Sequence, residues 1–223
     1  MLYETMRVVV PPVARTLLRP RVEGLEHVPL TGPLIFASNH LSFADSVVIP
    51  VVAPRRVVFL AKEEYFTGPG IRGGISRVFF SGLGMVPVKR DDARSAVNSL
   101  QTALGVLRSG LALGLYPEGT RSRDGRLYRG RTGVAHLALI SGAPIVPVGL
   151  LGTDHLQPIG SSVPRPARVS VRFGRPITPG ERHADVAPGR ARRELTDEVM
   201  DEIQRLSGQE TTGVYNEPAQ AQS

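Results

Sequence analysis

Between residues 22 and 206, short apolar runs alternate with stretches in which apolar positions recur every three or four residues. That alternation predicts an α/β fold built in layers. Pro33-Leu34-Ile35-Phe36-Ala37, Val57-Val58-Phe59-Leu60, Met85-Val86-Pro87-Val88, the run 111–116 and Ile145-Val146-Pro147-Val148 are apolar at nearly every position, as strands covered on both faces are. Val169, Val171 and Phe173 alternate with Ser170 and Arg172, which predicts a strand with one wetter face. A helix is predicted from a cap at Asp91 or Asp92 to Gly110, with Val97, Leu100, Leu104 and Leu107 on one side. A second runs from Thr132 to Ile140 and stops at Ser141-Gly142, and a third passes through Leu195, Val199, Ile203 and Leu206. These apolar faces belong to a core. No linker or repeat divides this stretch, so residues 22–207 are expected to form one domain.

The two ends differ from it. At residues 1–21 an apolar patch, Val8 to Val10 and Val13-Ala14, is broken by Pro11-Pro12 and bracketed by Arg7 and Arg15. It falls short of the roughly 20 apolar residues a spanning helix needs, and it lacks a signal-peptide core. It reads as a packed helix or as an interfacial segment, and no transmembrane helix is predicted. Residues 208–223 are polar, with Gln209, Thr211, Thr212, Pro218 and Gln220, and are expected to be disordered.

Charge narrows the partners. The chain of 223 residues carries 27 basic against 20 acidic residues, a formal +7, and every basic residue except Lys62 and Lys89 is Arg. Such a surplus favours nucleic acid, an anionic membrane surface or a phosphorylated small molecule, although genome composition produces the same bias. Aromatics make up only 5% and are not interleaved with a basic stripe, so nucleic acid loses its support. The absence of cysteine excludes disulfides and thiolate chemistry.

Candidate chemistry gathers at strand ends. After the strand ending at Ala37 comes Ser38-Asn39-His40-Leu41-Ser42-Phe43-Ala44-Asp45, followed by the start of a helix. A strand-to-helix turn exposes side chains at the carboxyl edge of a sheet, and Asp45 lies within reach of His40 to orient it as a general base. Ser42-x-x-Asp45 fits a capping box equally well, which needs no catalysis. Tyr116-Pro117-Glu118-Gly119-Thr120-Arg121 follows another strand, where Arg121 offers a bidentate phosphate contact and Gly119 permits a sharp turn. An ordinary turn is the competing reading. Gly84 to Arg90 ends in Lys89-Arg90, and Arg129-Gly130-Arg131 precedes a helix whose amides can share an anion. His27, His136, His155 and His183 have no partner in the pattern. Tyr65, Phe66, Ile71, Ile75, Phe79 and Phe80 line an acyl groove, face a bilayer or form ordinary core.

The ordered set Asn39-His40…Asp45, Gly84 to Arg90, Tyr116 to Arg121 and Val146-Pro147-Val148 resembles the four blocks of the glycerolipid acyltransferase family, over roughly residues 22–180. The resemblance implies a single α/β domain with a mixed sheet flanked by helices, as in glycerol-3-phosphate acyltransferase. It implies His40 as base and Asp45 as its orienter. Arg90, Glu118, Gly119, Thr120, Arg121 and Arg131 would then bind glycerol and phosphate, with Asn39, Ser42 and Pro147 supporting and amides near Gly119 facing an oxyanion. In the family the third block often opens with Phe where this chain has Tyr116, and a Lys commonly stands where Arg131 does. No metal or cofactor is implied. The donor would be acyl-CoA or an acyl carrier protein and the acceptor a lysophospholipid, at the cytoplasmic face of the cell membrane as a peripheral protein. Acylation of another lysophospholipid, glycerol-3-phosphate or a glycolipid is the alternative within the class; a thioesterase or an inactive lipid-binding module is the alternative outside it. Arg7, Arg15, Arg19, Arg21, Arg55 and Arg56 are left for an anionic membrane surface.

Overall fold

The computed structural model describes residues 20–89, 93–161, 163–180 and 186–217. Seven strands form one sheet: β1 (Arg21–Glu23), β2 (Leu34–Ser38), β3 (Val57–Lys62), β4 (Val86–Val88), β5 (Ala112–Leu115), β6 (Ile145–Leu151) and β7 (Ser170–Phe173). The order across the sheet is β1-β7-β6-β2-β5-β3-β4. The five strands from β6 to β4 run parallel, while β7 pairs antiparallel to β6 and β1 runs with β7. The sheet is therefore mixed, and its five parallel strands end on one edge.

All five residues of β2 are buried, because helices cover both faces. Strand alternation sends Leu34 and Phe36 into one apolar cluster and Ile35 and Ala37 into the other. Helix α1 (Asp45–Val52), the short α2 (Glu64–Thr67), α3 (Gly70–Gly82) and α6 (Thr153–Leu156) cover the first face. Helices α4 (Ala93–Arg108), α5 (Gly133–Ser141) and α7 (Pro188–Ser207) cover the second with Leu107, Val134, Leu137, Leu195 and Val199. The strand at 57 continues to Lys62 and that at 145 to Leu151, each longer than its apolar run implies. The cap at Asp91 or Asp92 lies outside the described residues.

Three features depart from expectation. Helix α3 contains Gly70, Gly73, Gly74 and Gly82, which weaken a helical signal in the sequence; packing of Phe80 against Phe43, Tyr65 and Phe66 holds it instead. Residues 208–217, expected to be disordered, lie along the domain. Thr211 bridges Leu127 in parallel, Leu127 N–H donates to Glu210 O at 2.8 Å and Arg129 N–H to Val214 O at 2.8 Å. A polar segment can be ordered in this way because a neighbouring chain satisfies its backbone groups. Arg55, assigned to a membrane surface, instead donates to the carbonyls of Pro29 (2.9 Å), Gly32 (2.6 Å) and Gly110 (3.0 Å). It ties loops at the amino edge of the sheet. Arg7, Arg15 and Arg19 lie outside the described residues. No helix among the described residues is long and apolar enough to cross a membrane.

Gly114 on β5 is opposite Phe59, whose ring occupies the space a β-carbon would need, 2.2 Å from its ideal position. Phe59 in turn stacks on Tyr116 at 5.5 Å. Gly114→Ala should therefore lower stability by about 1–3 kcal/mol, since the ring must leave its place. A chemical-denaturation midpoint equal to that of the unaltered protein would contradict this packing.

Candidate active site

Turns leaving β2 and β5 bring their side chains together because these strands are neighbours and parallel, with Ala37 opposite Leu115. Asp45 opens α1 and is fully buried. One of its oxygens, Oδ2, accepts the His40 ring nitrogen Nδ1 at 2.8 Å and the backbone N–H groups of Leu41 (2.8 Å) and Ser42 (2.9 Å). A carboxylate only accepts, so Nδ1 carries a proton, and in the neutral ring this tautomer leaves the lone pair on Nε2. The capping box read at Ser42 and Asp45 is not formed, because helix α1 has Ala44 at its cap with no side-chain cap hydrogen bond; the Ser42 N–H bond belongs to the turn that precedes the helix. Ser42 Oγ donates to Gln157 O at 2.7 Å and accepts Ala44 N–H at 3.2 Å.

The His40 ring lies flat on Tyr116, with centroids 3.7 Å apart and planes 7° apart. Burial, with the charge of Asp45, pushes the Tyr116 phenol well above its ordinary pKa, and its hydroxyl pairs with Ser46 Oγ at 2.7 Å. Tyr in place of Phe thus adds a tether to the first turn of α1.

Glu118 joins the two turns. It is fully buried, and its Oε1 accepts His40 N–H at 3.0 Å while Oε2 accepts Tyr128 N–H at 3.0 Å. Ser122 N–H donates to His40 O at 2.7 Å, so the backbone of His40 is held on both sides by the third block. The result is an imidazole with one nitrogen fixed by a buried acid and the other without a hydrogen-bond partner among the described residues, beside a loop bearing Arg121. Such an arrangement can remove a proton from a hydroxyl group.

Known proteins resemble the chain in sequence and fold. The model of the family described as Acyltransferase matches residues 19–151, more than half of the chain. The chain belongs to the acyltransferase family. It is 33% identical over 180 residues to the chloroplastic 1-acyl-sn-glycerol-3-phosphate acyltransferase LPAT1 of Arabidopsis thaliana, covering 80% of this chain and 48% of that one. It is 30% identical over 134 residues to 1-acyl-sn-glycerol-3-phosphate acyltransferase of Borreliella burgdorferi, covering 60% and 52%. The crystal structure of the 1-acyl-sn-glycerophosphate acyltransferase PlsC of Thermotoga maritima superposes with a TM-score of 0.70 at 27% identity, covering 92% of this chain and 79% of that one. The chain spans about half the length of the curated relatives it matches.

Within this member of the family the remaining sequence-predicted residues fall into different places. Asn39 is a structural clamp: its side chain exchanges two hydrogen bonds with the backbone of Leu150 on β6, at 2.9 and 2.8 Å, and donates to Gln209 Oε1 at 2.7 Å. Glu118 was expected to bind glycerol or phosphate, yet both of its oxygens are turned inward to backbone amides. Gly119 has φ 80° and donates its N–H to Tyr116 O at 3.0 Å, so this amide is committed to the turn rather than to an oxyanion. The Arg131 side chain packs over it, 3.1 Å from where a β-carbon would stand. Arg121 is exposed and Thr120 half-buried. Pro147 is buried within β6 opposite Ala37, inside the sheet. Arg90 lies outside the described residues, as does His183. Tyr128, Gln209, Tyr215 and Asn216 carry no motif, and the sequence offered no signal for them.

Burial raises the Glu118 carboxyl from 4.5 to about 7, against the two backbone N–H bonds that favour its charged form. Unfolded, it releases its proton near 4.5; folded, it keeps it to about 7. The native state therefore binds the extra proton, and the contribution of Glu118 to stability falls as pH rises from about 4.5 to about 7. Glu118→Gln does not titrate. The melting temperature of the native protein minus that of the variant should decline across this window and level off above it, and a constant difference would contradict the shift.

Proposed function

We propose that this chain transfers a fatty acyl group from acyl-CoA or an acyl carrier protein to the free hydroxyl of 1-acyl-glycerol-3-phosphate, giving phosphatidic acid. The observation that carries this reading is the His40–Asp45 pair with Nε2 open beside the Arg121 loop. The names of the relatives supply the substrate class. His40 Nε2 takes the proton of the acceptor hydroxyl as its oxygen attacks the thioester carbon. The buried Asp45 carboxylate stabilises the imidazolium that results. The tetrahedral adduct collapses with cleavage of the C–S bond, and the imidazolium returns its proton to the leaving sulfur. No acyl-enzyme is needed, and Ser42 is buried with its hydroxyl already donated to Gln157 O. Arg121 and Arg131, with Arg90 at the end of the second block, are the cations that hold the acceptor's phosphate and so position the hydroxyl.

Release of CoA from acyl-CoA should depend on added lysophosphatidic acid and fall by about 10²–10⁴-fold in His40→Ala. Asp45→Asn should lose rate as well, because it no longer fixes the tautomer. Unchanged turnover in a folded His40→Ala protein would sink the mechanism, and CoA release without acceptor would indicate a thioesterase. Arg121→Ala should raise KM for a phosphate monoester acceptor and leave a glycolipid acceptor unaffected, which separates the two acceptor classes.

The acceptor and product are lipids, and we place the domain as a peripheral protein on the cytoplasmic face of the membrane, where its donors are made. Helix α3 supports this. Ile71, Ile75 and Val78 recur along one of its faces and are 85%, 65% and 47% exposed, and with Gly74 and Phe79 they line an open apolar hollow. Isolated exposed aliphatics are ordinary, but a stripe at helical spacing fits a lipid surface. Its other side leads to the site through Phe80, which packs on Phe43 at 5.6 Å. In a flotation assay with anionic vesicles, Ile71→Asp combined with Ile75→Asp should weaken binding by more than tenfold at unchanged melting temperature. Equal flotation of variant and native protein would remove α3 as the contact.

A further inference from the structure

The segment that follows α7 touches both halves of the site. It leaves the helix at Gly208 and runs beside residues 125–129, where Gln209 Nε2 donates to Gly125 O at 2.7 Å and Thr212 N–H to Leu127 O at 3.0 Å. At its near end Gln209 Oε1 holds Asn39, the residue before His40, at 2.7 Å. At its far end Asn216 is only 8% exposed. Asn216 Nδ2 donates to Arg121 O at 3.1 Å and to Thr120 O at 3.5 Å, and Asn216 O accepts Arg131 Nη2 at 3.1 Å. The adjoining Tyr215 ring lies 5.5 Å from the Arg131 guanidinium and 5.2 Å from that of Arg129. Arg193 fastens the end of the segment, with Nη1 donating to Gly130 O at 2.8 Å and to the Tyr215 hydroxyl at 3.3 Å.

A single residue thus grips the backbone of one arginine and the side chain of another. Two guanidinium groups brought to one anion repel each other before it arrives, and each loses rotamer freedom when immobilised. Prior placement by a buried amide and an aromatic ring removes part of that cost from the binding step. Arg131 spends one nitrogen on Asn216 and keeps donors of its planar fork for an anion. None of these contacts reaches His40 Nε2.

We propose that residues 209–216 form a strap in which Asn216 and Tyr215 are positioning residues for the acceptor's phosphate, fixing the Thr120-Arg121 loop and the Arg131 side chain. This rests on the reading above that Arg121 and Arg131 meet that phosphate. A positioning role predicts weaker acceptor binding with little change in the chemical step, whereas a merely structural role predicts loss of stability and rate together.

The test is steady-state kinetics of the full chain with lysophosphatidic acid and acyl-CoA, with melting temperatures measured alongside. Asn216→Ala should raise acceptor KM about three- to tenfold, the scale of one or two lost hydrogen bonds, with kcat and donor KM within about twofold. Asn216→Asp should do the same, because a carboxylate cannot donate to the two carbonyls. At the more exposed Tyr215, Tyr215→Ala should raise acceptor KM and Tyr215→Phe, which keeps the ring, should restore it. If Asn216→Ala does not fold, the Tyr215 pair decides. Arg121→Ala separates the layers: if it leaves acceptor KM unchanged, the phosphate reading fails. If it raises acceptor KM while Asn216→Ala or Tyr215→Ala does not, or if Tyr215→Phe is as impaired as Tyr215→Ala, the strap proposal is overturned.

Discussion

One oxygen of one buried carboxylate organises this site. Asp45 Oδ2 gathers a ring nitrogen and two backbone amides from the five residues that precede it, and Asp45 opens a helix. Asp45 has no exposure, and all three hydrogen bonds fall on Oδ2 while Oδ1 has no partner among the described residues, so the bonds to one oxygen determine the turn. Moving the oxygen would release the His40 tautomer and the Leu41-Ser42 turn at once. The apolar cluster beneath, with Phe36, Ala44, Val48 and Phe59, keeps water away from it. Packing and the His40–Asp45 pair therefore share the same residues, which is why His40 sits at the end of the most deeply buried strand.

Glu118 is the second half of that constraint. Burial raises the cost of ionising Glu118, and the field of Asp45 adds to that upward shift. Both oxygens of Glu118 face backbone amides, so it ties the loop after β5 to the residue that carries the base. The third block is then two things in sequence order: an inward acid that builds the turn and an outward arginine that can meet an anion. A motif quoted as a unit divides across the wall of the site.

This division shows what a sequence can convey. Apolar runs marked five of the seven strands, because strands covered on both faces leave no polar positions to obscure them, and alternation marked β7. His40 and Asp45 were legible because five residues and a helical turn determine their contact. The inward turn of Glu118 was not, since it depends on amides at positions 40 and 128 that lie on other segments. Helix α3 was hidden by its glycines, and the three residues of β1 are too few for a period to show. The segment after Gly208 was misread for a third reason: composition reports whether a stretch can form its own core, and this stretch borrows one.

The arginine surplus can now be divided by environment. On α7, Arg190 pairs with Glu194, Arg193 with Asp197 and Arg205 with Glu202, so much of that helix's charge is balanced on its own surface. Arg21 and Arg172 share Glu23, and Arg55 is occupied by carbonyls. Paired charges project little field beyond a Debye length. Among the described residues, Arg121 and the free edge of Arg131 face outward beside the loops that follow β2 and β5. A formal +7 spread evenly would attract any anion weakly; on the reading proposed above, two arginines beside the half-buried His40 would select an anion that also presents a hydroxyl at the right distance. Net charge describes such a surface poorly, because it counts paired and unpaired cations alike.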